Sequence, residues 1–440
     1  MNLADMLCYA DIQQLSSIAN TYDCECNGHS KNELIQSILT KVNRRDVFEE
    51  QVTKLTIEDI RFLNSIVFEK RDTFSLEELT ARASQSRFPQ PNQLNQPNQQ
   101  TQQPAHPAEQ LQKAKAKATA KAKASAKAKA TPLQTEQRSA IGTNGSIGAS
   151  NTNGEAESRS PREMISQFKH RGWLFNGFSQ QTRYLFQFPQ DMKRRFQETL
   201  LKQFQTNLEY LDEPAVYRDE QRLIVDDIYA LLHYVYHQDI QLTADGTMYK
   251  RFIQQILDRM SVGEELPKEM WRFGYGRQFK ELPNRLSLLY DYCYFHNMLT
   301  EQEGALLLTD KGKQTVLEGR REDLTQVYRL WFKLYKNPIP GLQAIVYWVD
   351  KLAQDWIETA ALERTLCPLI RPFYYDTPES ILHKRVLQMM MHLGLLRIGE
   401  DESRGTVVKM TKLGSGVVTG TYVAEEDRIT IAIDNLNFPC

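Results

Sequence analysis

Apolar and polar positions in the C-terminal half of the chain follow a pattern that occurs twice. An apolar helical run from Leu286 ends in Phe295, Asn297, Met298 and Leu299. A polar turn (Thr300–Gly304), a strand-like run (Ala305–Thr309) and a turn at Asp310–Gly312 follow. The second copy starts near Glu379, runs through Met389, Leu393, Gly394, Leu395 and Leu396, crosses a longer polar turn (Gly399–Gly405), and reaches a strand over Thr406–Thr411 and a turn at Gly414. Thr309 and Gly312 thus correspond to Thr411 and Gly414. Ahead of the first copy, Leu223–Tyr236 and Met248–Met260 are spaced as helices, with an extended piece at Gln241–Gly246, and Pro283–Leu299 is the third helix. Ahead of the second, Leu324–Leu334, Leu342–Leu352 and Trp356–Leu366 are helical. The tail alternates at Tyr422 and Ile429–Ile433 like a final strand.

A helix, a hairpin and a strand closing on Thr and Gly form the layout of the last helix and wing of a winged-helix domain. The expected fold is therefore mainly α with small β wings, an α+β protein. Four segments are expected: a helical domain over 1–84, a linker over 85–160, and winged-helix-like modules over 161–320 and 321–440. In the first segment Ile12, Leu15, Ile18 and Ala19 share a helix face. Ser30–Glu33 has capping-box form, in which the Ser oxygen accepts the Glu N–H and the Glu carboxylate reaches back; Ser75–Glu78 is a further cap. Two short helices around a Gly-containing turn resemble a SAP-type nucleic-acid-binding motif. A small helical interaction domain is the competing reading, because the segment is acidic.

Charge is uneven along the chain. The total is −1, but residues 1–84 carry −5, 85–160 carry +6 and the remainder −2. The linker is rich in Pro, Gln and Asn, then in Gly, Ser, Asn and Thr, and has too few apolar residues to offset the entropy of ordering. Within it lies Lys113–Ala130, a tract with no acid that carries Lys113, Lys115, Lys117, Lys121, Lys123, Lys127 and Lys129. Such a tract resembles the Lys-Ala tails of linker histones. It suits either sequence-independent phosphate contact through counterion release or a solvated tether. No basic leader with an apolar core starts the chain, no run of 18 apolar residues occurs, and six scattered cysteines form no disulfide framework, so a cytoplasmic protein is expected.

The run Phe168, Lys169, His170, Arg171, Trp173, Phe175, Phe178, Arg183, Tyr184, Phe186 and Phe188 interleaves aromatics with cations. It suits stacking on bases or, by the alternation of Tyr184, Phe186 and Phe188, the core side of a strand. The segment Ser261–Leu282, with Trp271, Arg272, Tyr275, Arg277 and Lys280, can line a basic groove or pack its rings inward. In the first copy Leu286, Tyr290 and Cys293 share a core face, which leaves Leu288, Asp291, Tyr292 and Phe295 opposite: Leu288, Tyr292 and Phe295 form a candidate protein contact. In the second, Leu382, Val386, Met389, Met390 and Leu393 are the core stripe, while Lys384 and Gln388, flanked by Arg385 and His392, face outward with Leu387 and Met391. The wing adds Arg397, Arg404, Lys409 and Lys412. These cations suit a DNA contact, since Gln can read adenine and Lys or Arg can read guanine or hold phosphate; Glu400, Asp401 and Glu402 at the wing tip oppose it.

Several of these pieces together resemble the bacterial helicase-associated proteins whose body is like the N-terminal region of XPB-type DNA helicases. They are the turn Thr243–Gly246, the helix start Lys250-Arg251, the helix ends Asn297-Met298-Leu299 and Gly394-Leu395-Leu396, the wing closures Leu308–Gly312 and Met410–Gly414, the helix start Trp356-Ile357-Glu358, and the leading stretch Leu15–Leu39. The resemblance implies binding to DNA or docking with a helicase, transcription or repair protein, and it offers no catalytic residues. No phosphate-cradling G-x-x-x-x-G-K-[ST], H-E-x-x-H or G-x-S-x-G motif occurs. Cys24, Cys26 and His29 lack a well-spaced fourth metal ligand, and His233 and His237 stand four apart on one helix. The expectation is a non-enzymatic DNA-binding accessory protein without cofactor, metal or membrane anchor; the alternative is a protein-protein adaptor.

Overall fold

Thr309 and Thr411 each end a strand and begin a helix, and each holds its module closed in the same way. In the computed structural model, which describes residues 1–26, 28–89, 159–268 and 272–421, the Thr309 hydroxyl accepts the Gly312 N–H at 3.2 Å and donates to the Asn297 carbonyl at 2.6 Å. The Thr411 hydroxyl does the same with Gly414 at 2.8 Å and Gly394 at 2.9 Å. One residue, Asn297 or Gly394, reverses the chain after each third helix with a positive φ (57° and 68°). The next N–H then bonds five residues back, Met298 to Cys293 and Leu395 to Met390, both at 2.8 Å.

Each of these units runs helix, short strand, helix, helix, hairpin. The first comprises helix Leu223–His237, β6 (Ile240–Gln241), helices Lys250–Leu257 and Asn284–Phe295, β7 (Leu299–Gln302) and β8 (Ala305–Leu308). The second comprises helix Leu342–Leu352, β9 (Trp356–Glu358), helix Thr359–Leu366, a third helix, β10 (Leu396–Asp401) and β11 (Gly405–Met410). That third helix is α over Pro378–Ser380, π over Ile381–Leu387 and α again over Gln388–His392. In both units the first strand pairs antiparallel with the last, the order of a winged-helix sheet. In the second, β4 (Tyr210–Leu211) and β5 (Val216–Arg218) extend the sheet to the order β4-β9-β11-β10-β5, so the outer wing strand has no free edge.

A third unit of the same plan precedes them, and its halves lie far apart in sequence. Helix Ile57–Val67, β1 (Thr73–Ser75) and helix Leu76–Gln85 are completed by helix Pro161–His170, β2 (Phe175–Asn176) and β3 (Leu185–Gln187), in the sheet order β1-β3-β2. Phe74 pairs with Phe186. Gly172 takes the turn position with φ 68°, and Trp173 N–H bonds Phe168 O at 2.9 Å. The boundaries expected at 84 and 161 therefore do not separate domains: residues 90–158 lie in sequence between the second and third helices of one unit. Core packing describes Phe168, Trp173, Phe175 and Phe188, all fully buried, whereas Tyr184 stays exposed.

The N-terminal helices belong to this same compact unit. Leu15, Ile18 and Ala19 are buried as their spacing predicts, while Ile12 is exposed. Tyr22 donates to Arg171 O at 2.9 Å, and Asp191 accepts the Leu3 N–H at 2.9 Å. Arg61 bonds the carbonyls of Pro368, Ser86 and Phe88, tying the end of the first half to the third module. Burial lowers the Arg61 pKa to about 10. Among the described residues no helix is long and apolar enough to cross a membrane. Of the expected DNA contacts, Lys113, Lys115, Lys117, Lys121, Lys123, Lys127 and Lys129 lie outside the described residues, as do Trp271 and the expected tail strand.

At Gly414 a Cβ would stand 2.2 Å from the Leu395 carbonyl oxygen, a backbone atom that cannot yield. Gly414→Ala should lower stability by about 1–3 kcal/mol through overpacking, read from urea unfolding. Gly341→Ala, whose methyl meets nothing within 4 Å, should leave the midpoint nearly unchanged.

Candidate nucleic-acid interface

The structure sorts the cations of the third module into three environments. In the wing, Arg397 lies opposite Lys409 across the hairpin, so both project from one face. The helix Lys412–Thr419 begins directly after β11, and Arg222 approaches from the segment before the second module. These four cations line a cleft of about 1010 Å³ in which, among the described residues, Asp219 is the one lining carboxylate. Arg397 pairs with Asp219 at 2.7 Å and Lys409 with the largely exposed Asp355 at 3.1 Å. Exposed Lys412 has no ion-pair partner among the described residues. A pair as open to water as Lys409–Asp355 contributes about 0–1 kcal/mol, so a phosphate can displace Asp355, whereas the half-buried Arg397–Asp219 pair is held more firmly. Arg404, at the wing tip, pairs with Glu209 at 2.8 Å. The acids expected to repel DNA there are partly occupied: Asp401 accepts the N–H groups of Ser403 and Arg404 at 2.9 Å, and Glu400 accepts the Thr406 hydroxyl.

Lys384 and Gln388 occupy a second environment. They line a cavity of about 690 Å³ between the third helix of the third module and segments 263–268 and 272–273 of the second. Lys384 is exposed and Gln388 half-buried.

Arg385 and His392 occupy a third environment, and here the expectation is corrected: both are buried, at 5% and 3% exposure, together with Leu387 and Met391. Arg385 Nε pairs with Asp376 at 2.9 Å, its Nη2 donates to Phe273 O at 2.7 Å, and the guanidinium lies 4.9 Å from the Tyr275 ring centre. His392 Nδ1 lies 3.1 and 3.2 Å from the two oxygens of Glu220. Two physical causes defeat the helical-wheel assignment. The wider π turn over Ile381–Leu387 shifts side chains off the 100° spacing, and the second module covers what would have been a solvent face.

The expected protein contact is corrected likewise. Leu288 and Tyr292 are buried, and only Phe295, 52% exposed, reaches solvent. Leu288 lines a small internal cavity with Leu334 and Tyr335 of the helix Leu324–Tyr335, while Tyr292 donates to Glu322 at 2.6 Å and stacks on His296. The helix Asn284–Phe295 is enclosed on both sides, because the chain's own helix Leu324–Tyr335 and the segment before it take the face assigned to a partner.

A buried ionic network joins the two modules behind these sites. Glu220, 2% exposed, receives His392, Arg285 Nε at 3.2 Å and Arg218 at 2.7 Å. Arg285 also pairs with Asp227 at 2.5 Å. Burial pushes the Glu220 pKa up, but the His392 hydrogen bond and the charges of His392, Arg285 and Arg218 outweigh it, and the net shift is downward. Asp291 behaves oppositely: burial raises its pKa to about 6 despite the Arg277 N–H bonds.

Comparison with protein-family models, curated proteins and solved structures returned no significant match. The chemistry must be read from the side chains themselves. Arg222, Arg218, Tyr374 and Tyr375 are site residues that the sequence reading passes over; the aromatic run after Pro372 is the available signal for the last two. Among the described residues no group of three or more His, Cys, Asp or Glu side chains is placed to hold a metal ion. The His233 and His237 rings lie 4.5 Å apart, packed on one another.

The two buried carboxylates make stability depend on pH in opposite directions. Glu220→Gln weakens compensation of Arg285, and Glu220→Ala removes it, which should cost about 3–5 kcal/mol at neutral pH. Because the folded-state pKa of Glu220 is depressed, its stabilisation is present above 4.5 and lost as pH falls through the folded value. Urea midpoints between pH 3 and 7 should therefore converge for wild type and Glu220→Gln at the acid end. For Asp291 the sign reverses. The folded state binds the proton more tightly, so the penalty of ionisation is absent below 3.8 and complete above about 6. Asp291→Asn should gain about 1–3 kcal/mol above that pH and nothing at the acid end, measured in the same titration.

Proposed function

We propose that the protein is a non-enzymatic nucleic-acid-binding accessory protein, acting beside a helicase, transcription or repair factor, and that the cleft of the third module's wing contacts duplex DNA. The observation that carries this reading is the convergence of Arg222, Arg397, Lys409 and Lys412 on one cleft with a single lining carboxylate among the described residues. In winged-helix proteins the wing lies along the backbone or minor groove, where cations position the protein without reading sequence. The covered outer strand keeps this wing from pairing with another sheet and holds Arg397 and Lys409 at fixed spacing. The lysine tract from Lys113 to Lys129 adds seven cations whose affinity for phosphate does not depend on base sequence. Protein docking keeps Phe295 alone among the three residues considered for it, so a nucleic-acid role accounts for more of the surface chemistry.

Binding of full-length protein to a labelled duplex, followed by fluorescence anisotropy, tests the reading. Affinity should fall steeply with salt, and Lys409→Glu/Lys412→Glu should weaken it at least about tenfold while reducing the log–log salt slope by roughly two, one per lost phosphate contact. Substitution of the seven tract lysines by Gln should lower affinity equally for all sequences. Duplex affinity unchanged in the wing variant would remove the wing from the interface.

A further inference from the structure

The cavity beneath Lys384 is separate from the wing cleft and carries different chemistry. Its floor is the π-helical stretch bearing Lys384, with Gln388 one turn on; segments 263–268 and 272–273 form its opposite wall, and Tyr375 stands at its rim. At about 690 Å³ it falls in the roughly 300–1,000 Å³ range of sites that hold a small molecule. Its carboxylates among the described residues already have partners. Glu264 accepts the N–H groups of Arg285 and Leu286 at 2.9 Å, Asp376 holds Arg385, and Glu265 pairs with Lys268. Lys384 has no ion-pair partner among the described residues, so the cavity offers an uncommitted positive charge.

The rim is unusual. Phe373 and Asp376 exchange both backbone hydrogen bonds, at 3.0 and 2.9 Å, which places Tyr374 and Tyr375 at the tip of a two-residue turn. The first tip position has φ +49°, a conformation normally filled by Gly, Asn or Asp in such turns and strained for a bulky ring. Both rings remain in water, 83% and 71% exposed. Phe273 braces them from beneath, with ring centres 6.1 Å from Tyr374 and 5.6 Å from Tyr375. A turn that violates its own residue preference to hold two braced rings in solvent, the second of them at the mouth of a cavity lined by an unpaired lysine, is the kind of local conflict that marks a working site.

We infer that this cavity binds an unpaired nucleotide of a single-stranded nucleic acid, with its base stacked on Tyr375, which the turn and Tyr374 hold at the rim, and its phosphate against Lys384. A free base presents a π-face to an aromatic ring whatever its identity, and half-buried Gln388 offers a donor and an acceptor to a base edge. A duplex does not fit here. Groove reading requires the helix to enter a channel roughly 12 Å wide, and the face bearing Lys384 and Gln388 is roofed by the second module. The inference rests on the nucleic-acid reading above but assigns a second site with its own ligand.

Anisotropy titrations of the full chain with a labelled oligothymidylate, the matching oligouridylate and a duplex of equal length test it. The variants are Tyr374→Gly/Tyr375→Ala, Lys384→Glu and Lys409→Glu/Lys412→Glu. Glycine suits the φ of position 374, so the tyrosine variant should melt at or above the wild-type temperature. Its single-strand affinity should fall at least about tenfold with duplex affinity unchanged, and Lys384→Glu should act in the same direction. Tyrosine-dependent binding of either strand supports the site, the tighter strand naming the sugar it accepts. No single-strand binding by wild type, or single-strand binding untouched by the tyrosine variant, overturns it. Duplex binding that survives the wing variant overturns the wing reading alone.

Discussion

Glu220 is the constraint on which the C-terminal two modules depend. A carboxylate at 2% exposure is tolerable only while its compensating groups stay in place. Those groups come from the start of the second module's third helix (Arg285), from the edge strand of the third module's sheet (Arg218), and from the end of the third module's third helix (His392). Removing any one of these partners leaves an uncompensated buried charge, so the three elements are held in register by more than their apolar packing. The segment around Glu220 then divides its neighbours between two sites. Arg218 lines the tyrosine-rimmed cavity, while Asp219, Gln221 and Arg222 line the wing cleft.

The second and third modules are legible in sequence because both close in the same local chemistry. A Thr that caps a helix onto a Gly leaves a mark at fixed spacing. The first module is hidden for two reasons. Pro189 stands where the others have the capping Thr, and residues 90–158 part its second helix from its third, so no window of ordinary length contains the whole pattern. Its surviving signs are Gly172 at the reversal and the alternation of Phe186 and Phe188, which marks a strand without saying to which module the strand belongs.

The site residues divide along similar lines. Lys384, Lys409, Lys412 and Arg404 have side chains open to solvent or partly so, and their positions follow from strand alternation and helix periodicity. Arg385, His392, Leu288 and Tyr292 fall elsewhere than expected because a helical wheel supposes one buried face and regular α winding. Here one helix is π-wound and both third helices are packed from two sides. No single-element pattern encodes what a neighbouring module will cover. Tyr374 and Tyr375 carry no turn signal of their own, since turns are read from Gly, Pro, Asn and Asp, and this turn uses none of them at its tip.

The interruption of the first module has a consequence for how the lysine tract is presented. A tract at a chain terminus is held at one end; this one is inserted between Leu76–Gln85 and Pro161–His170, which belong to a single core together with the β1–β3 pairing. Closure entropy grows only by about 0.6 kcal/mol for each doubling of loop length, so the insertion can lengthen or shorten with little effect on the fold that carries it. Covalent anchorage at both ends ties the concentration of its charges near the fold to the length of the insertion rather than to the protein's abundance. A single cut of the backbone between the two helices would leave two polypeptides that share one core, because Phe74 and Phe186 pair across the interruption whether or not the chain is continuous.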